Sequence, residues 1–250
     1  MKTRLLLTFS SILLLTSCQT GSQTLSNDLA NLGNAIFGNT NVPNASGFTD
    51  QELSAAFKQT LTIGTNQVVS QLSASNGFNL DPQIHIPLPE NLRRVQSALN
   101  TVGMSYLMDD LELRLNRAAE IAMPEAKALF MTSIQQMTFK DAVSIYKGPN
   151  DSATRYFETK MSSPLARKMT PIVNNAISKA GVVQAYDNVM SQYAAIPFMP
   201  DVKADLTNHV IDLGIDGVFF YLAKQEAAIR QDPMRQTTDL LKRVFGNQKI

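Results

Sequence analysis

From Thr49 onward the apolar residues of this chain recur every three or four positions, the interval that aligns side chains on one face of an α-helix. Leu53, Phe57, Leu61, Gly64, Val68 and Leu72 form the first such stripe. It lies behind Thr49 and Glu52, which have the spacing of a capping box, and Asn76-Gly77 closes it. No run of alternating β-branched residues bounded by hairpin turns offers a rival pattern. The expected fold class is all-α.

Proline and glycine punctuate the stripes that follow. Ile84-His85-Ile86-Pro87-Leu88-Pro89 alternates like a strand, but two prolines in three residues remove ladder donors, so an extended connector is expected. Pro89 starts a helix carrying Leu92, Val95, Leu99 and Val102, and Gly103 ends it. A helix from Met104 to Ala122 follows, and Met123-Pro124 begins another. Thr138 with Asp141 resembles a further cap, and Gly148-Pro149 is a stop. Asn150 or Asp151 caps the next helix, and Ser163-Pro164 and Thr170-Pro171 read as two more starts. Gly181 separates the helix bearing Tyr186, Val189 and Tyr193, and residues 196–200 form a loop. A long helix from Lys203 to Gln231 precedes a last one, opened by Asp232-Pro233 and closed by Gly246. The reading is one compact multi-helix domain over 49–250, built of roughly ten short helices.

The N-terminus carries a different signal. Lys2 and Arg4 precede an apolar run from Leu5 to Leu15. Eleven helical residues reach about 16 Å, half of a bilayer core, so the run suits a signal peptide over 1–17 rather than a span. It ends in Leu15-Thr16-Ser17-Cys18, an aliphatic residue, two small ones and a cysteine, which looks like a lipobox. Cys18 is the only cysteine of the chain. Lipidation consumes a thiol that would otherwise stay reactive after export. A thioether-linked diacylglycerol supplies the two acyl chains that stable anchoring takes. Gln19 follows Cys18 where an aspartate would favour inner-membrane retention, so the expected address is the outer membrane, facing the periplasm. Residues 18–48 then read as anchor and flexible tether, polar and with Asp28 as their only charge. Leu25, Leu29, Leu32 and Ile36 within them share helical spacing.

Charge narrows the partners. Without residues 1–17 the chain loses two of its 22 basic side chains and none of its 21 acidic ones, leaving a formal charge of −1. A nucleic-acid partner would call for a basic excess. Three polar constellations stand out. Asp205, His209, Asp212 and Asp216 fall on one helical face and suit a divalent cation or a proton relay, against the simpler reading of a solvated face. Glu112, Asn116 and Glu120 share another face with Arg117 beside them, in a stretch where Asp109 reaches Arg117 and Asp110 reaches Arg114 as helical ion pairs. Arg230, Arg235, Thr237 and Thr238 surround a helix start and suit an anion, against plain capping. His85 and His209 lie far apart and make no metal spacing, and neither a phosphate loop nor a nucleophile elbow is present. No cofactor, no metal and no catalytic set is expected.

Six ordered strings resemble a known family. They are Ile86-Pro87-Leu88-Pro89; Leu115-Asn116-Arg117-Ala118-Ala119-Glu120; Gln136-Met137-Thr138-Phe139 with Asp141-Ala142; Gly148-Pro149 with Asp151, Ala153-Thr154 and Tyr156-Phe157; Ile196-Pro197-Phe198; and Thr237-Thr238-Asp239-Leu240-Leu241 with Val244-Phe245-Gly246. Over Leu53 to Gly246 the chain resembles the bacterial family known as domain of unknown function 4197. The resemblance implies an exported, mostly helical protein and no known activity. Gln236 departs from it, where an arginine is expected before the threonine pair. The resulting expectation is a lipid-anchored periplasmic module that binds an envelope protein or lipid without catalysis. Its rivals are a carrier of an apolar ligand and a hydrolase using the acidic helix from Asp109 to Glu120.

Overall fold

Thr49 starts the first helix in the way its spacing to Glu52 requires. Its hydroxyl accepts the Glu52 N–H at 3.1 Å, and the Glu52 carboxylate accepts the Thr49 N–H at 3.1 Å. The computed structural model describes residues 47–140, 142–197 and 204–246, all within the unit Pro43–Ile250. In chain order the helices are α1 (Asp50–Leu72), α2 (Arg93–Thr101), α3 (Ser105–Gln136), α4 (Ala142–Lys147), α5 (Ser152–Lys179), α6 (Val182–Ala194), α7 (Leu206–Gln231) and α8 (Asp239–Phe245). Single 3-10 turns at Glu90–Leu92 and Pro233–Arg235 complete them, and the described residues hold no strand. None of these helices is long and apolar enough to cross a membrane. Residues 1–46, which hold the expected signal peptide, Cys18 and all but the last two residues of the tether, lie outside the described residues, as do Asp141, 198–203 and 247–250.

The all-α class holds, but the helices are fewer and longer than the prolines suggest. Pro124 sits inside the 32-residue α3, and Pro164 and Pro171 inside the 28-residue α5. An interior proline costs roughly 3 kcal/mol. The apolar stripe runs straight through it: Ala119, Ala122, Met123, Ala126 and Phe130 are all buried on either side of Pro124. Burying one Phe or Met side chain contributes about 1.5–3 kcal/mol, so packing outweighs the missing hydrogen bond. Thr170 is not a cap, because its hydroxyl donates back to Ala166 O at 3.2 Å within the same helix. The C-terminal segment divides in the opposite sense. Asp232-Pro233 opens only a 3-10 turn, and Thr238 caps the separate α8 by accepting the Leu241 N–H at 3.2 Å.

α3, α5 and α7 pack on one another and are tied by three rings, Phe130, Phe157 and Phe219, with centroids 5.4–6.3 Å apart. α1 lies against α3 and α7, and α6 against α3. The approach of α1 to α7 is close. A Cβ on Gly64 would stand 2.7 Å from Leu222 Cδ1. Gly181 turns the chain from α5 into α6 at φ 72°, where Arg114 Nη1 would lie 2.6 Å from an added Cβ.

Between α1 and α2, residues 73–89 form a strap across α3 and α7. It opens with turns, including Asn76 at φ 67°, and ends in His85–Pro89, a proline-bearing stretch without helix or strand. Phe78, Ile84 and Ile86 plug it into the core. Gly217 on α7 lets it approach, since a Cβ there would lie 3.2 Å from both Phe78 and Ile84.

Candidate functional site

The polar face of α3 is the fastener of this strap. Asn116 is fully buried, accepts the Ile86 N–H at 2.9 Å, and donates to Ile86 O at 2.8 Å. It thereby completes the backbone pairing of a residue that has no strand neighbour. Glu120, also buried, accepts the N–H groups of Phe78 and Asn79 at 3.1 and 3.3 Å. Its other oxygen pairs with Arg117 at 2.6 Å, and Arg117 reaches the Asn76 side chain at 2.8 Å. Glu112 accepts from Leu88 N–H at 3.1 Å and contacts His85 Nε2 at 2.8 Å. The four residues read from sequence as a polar surface are thus brought together, but turned inward on the strap. Asp110 pairs with Arg114 at 2.8 Å as expected, whereas Arg117 pairs with Glu120 and not with Asp109.

The α7 stripe is divided among separate tasks. Asp205 caps the helix by accepting the Asn208 N–H at 3.0 Å. His209 Nε2 lies 2.7 Å from Pro87 O, on the strap. Among the described residues no three His, Cys, Asp or Glu side chains come together as a metal site, so the cation reading of this face has no ligand set. Asp216 faces a cleft instead. Its carboxyl is pushed above the usual value, first by burial and then by the charges of Glu158 and Asp212.

The suggested anion site at the C-terminus does not assemble. Arg230 is buried, its guanidinium 2.7 Å from the Glu226 carboxylate and within 5.4 Å of the ring centroids of Phe57 and Phe245. Burial pulls its pKa down, against the opposing charge of Glu226. Arg235 pairs with Asp232 at 3.6 Å on the surface. The Thr238 hydroxyl both caps α8 and donates to Gln59 at 2.9 Å, and Thr237 joins a backbone turn to Arg235. Gln236 is buried and donates to Ile229 O at 3.2 Å.

Glu226 escaped the sequence reading. It caps the start of α5 across the core, accepting the N–H groups of Ala153 and Thr154 at 3.0 and 2.6 Å and the Thr154 hydroxyl at 2.7 Å. Its place four residues before Arg230, on a helix otherwise apolar over Val218–Leu222, is the available signal. Tyr221 was also missed, and its hydroxyl donates to the Asp81 carboxylate of the strap. Burial and then Asp81 hold that phenol above its usual value.

Depressions on the surface include two that bear on binding. A cleft of about 380 Å³ runs between the strap and α7, lined by Ile84, His85, Arg155, Leu213, Asp216 and Phe220. Arg155 there is held by Asp151 at 3.0 Å and Glu158 at 2.8 Å. A second depression of about 710 Å³ lies among α5, α6 and α7, with Ile177, Val182, Tyr186 and Leu206 on its wall. The cleft offers apolar walls and a few polar groups, the usual make-up of a small binding site.

The strings that carry the family resemblance are the ones that fasten this fold: Asn116 and Glu120 on the strap, Thr154 on Glu226, and Thr238 on α8. A family described as protein of unknown function (DUF4197) matches over residues 47–246. The chain belongs to the DUF4197 family. Comparison with the curated proteins returns no match, and comparison with the solved structures returns none either. In this DUF4197 protein the matched span begins two residues before the Thr49 cap and ends at Gly246, just after α8. It therefore coincides with the helical domain.

Proposed function

We propose that this DUF4197 protein is a lipid-anchored periplasmic binding module, held at the outer membrane through Cys18 and meeting an envelope protein or lipid at the cleft beside the strap. The observation that carries the binding role is the commitment of the acidic side chains. Glu112, Glu120 and Glu226 each accept backbone N–H groups, so they hold the strap and the start of α5 in place instead of standing ready for acid–base work. The anchor rests on the sequence alone: a basic start, an apolar run too short to span, and the sole cysteine at its end.

Metabolic labelling with an alkyne fatty acid tests the anchor. Label on the wild type, absent from Cys18→Ala, is the expected result, with the label in the outer-membrane fraction. An unlabelled wild type refutes it. A photo-crosslinking residue at Gln83 tests the cleft in intact cells. A discrete adduct that Leu213→Arg abolishes supports the reading, and no adduct above background counts against it. A carrier of an apolar ligand is the second reading, favoured by the aliphatic wall of the larger depression. Native mass spectrometry of the detergent-extracted protein decides it by a co-purifying lipid or the lack of one.

A further inference from the structure

Both histidines of the chain touch the strap, and they are held differently. His209 reaches across from α7 with Nε2 2.7 Å from Pro87 O. One acceptor needs one N–H, which a neutral ring supplies. His85 lies within the strap and has both nitrogens engaged: Nδ1 is 2.9 Å from Asn79 O, and Nε2 is 2.8 Å from Glu112 Oε1. A carbonyl and a carboxylate are both acceptors. A neutral imidazole carries one N–H and one lone pair, so it satisfies one of them and aims its lone pair at the other. The imidazolium donates to both.

The carboxylate partner is fixed in place. Glu112 cannot turn away freely, because its second oxygen holds the Leu88 N–H at 3.1 Å. Across the cleft stand Asp216 of α7 and Arg155 of α5. The Arg155 charge is countered by Asp151 and Glu158. Within the strap, the Asp81 carbonyl accepts the His85 N–H at 2.9 Å while its carboxylate serves Tyr221.

We propose that His85 is a pH-responsive clamp: charged, it fastens residues 79–88 of the strap to α3, and on losing its proton it slackens them and reshapes the cleft wall that Ile84 and His85 form. The fastening is present while the ring is charged and is lost as rising pH removes its proton. The inference does not depend on the lipid anchor.

Amide hydrogen exchange of the full chain in detergent, at pH 5.5 and pH 8.0 and corrected for intrinsic rates, tests it. The amides of residues 84–86 and 88 should lose protection about tenfold at pH 8.0, while α3 and α7 keep theirs. Glu112→Gln is the decisive variant. Its amide NH₂ can donate to the Nε2 lone pair of a neutral His85 while its oxygen still accepts from Leu88, so the fall should vanish. His209→Gln should leave the fall intact. Equal wild-type protection at the two pH values, a fall that persists in Glu112→Gln, or one that vanishes in His209→Gln overturns the proposal. Nitrogen-15 spectra of the His85 ring give a reading independent of any variant. Two protonated ring nitrogens at pH 5.5 and one at pH 8.0 are expected, and a neutral ring at pH 5.5 overturns the clamp.

Discussion

Replacing Glu226 by glutamine should be the most damaging isosteric change in this domain. The Glu226 and Arg230 side chains are both fully buried, 2.7 Å apart. The carboxylate also receives three donors from the start of α5, at 2.6–3.0 Å. Glutamine keeps the shape, but it replaces one acceptor oxygen by an NH₂ that faces donors and leaves the guanidinium charge without a counterion. Breaking a buried ion pair by removing one partner costs about 3–5 kcal/mol. A domain of this size is held by about 5–15 kcal/mol, so about a fifth or more of its stability is at stake. Urea unfolding followed by circular dichroism at 222 nm should show the midpoint fall by about 1–2 M. The double variant Glu226→Gln/Arg230→Met removes the stranded charge as well and should recover part of the loss, with a coupling of about 2 kcal/mol or more. A single variant that loses less than about 0.5 M, or losses that simply add, would refute the reasoning that this pair carries charge across the core.

Three further outcomes follow from the same geometry. Asn116→Leu leaves the buried N–H and C=O of Ile86 without partners, for a loss of about 2–5 kcal/mol and a Tm lower by about 5–15 °C in calorimetry; an unchanged Tm would mean the strap is not held there. Gly64→Ala gains up to about 1 kcal/mol of helix propensity but drives a Cβ to 2.7 Å from the buried Leu222, so overpacking of about 1–3 kcal/mol should prevail in chemical unfolding, and a more stable variant would contradict the close approach of α1 and α7. Asp216 has a folded pKa raised by burial and by its acidic neighbours, so its stabilising form is the protonated one, fully present below the unfolded value of about 3.9 and lost as pH rises. Asp216→Asn should therefore raise Tm at pH 7 and not at pH 3.5, and equal gains at both would reject the sign.

Much of the scaffold was legible because it is local. The Thr49–Glu52 box, the α1 stripe and the stop at Gly181 depend on residues a few positions apart, and all appear as read, while of the connector expected from Ile84 the part His85–Pro89 lies outside helix and strand and Ile84 itself closes a turn. Pro124, Pro164 and Pro171 misled for the same reason. Proline has a local cost and suggests a local start, but whether a helix continues through it depends on neighbours distant in sequence.

The polar residues show the division most clearly. Sequence spacing alone determined that Glu112, Asn116 and Glu120 share a face of α3, and that Cys18 stands at the end of a signal-like run. Tertiary structure decided where that face points: inward, onto the backbone of a strap that enters from 24 to 42 residues away. The physical reason is that an irregular segment crossing a core must have its N–H and C=O groups satisfied, and where its own turns do not reach, side chains from other helices do it. Helical periodicity fixes which residues stand together, whereas the demand they answer belongs to a different part of the chain.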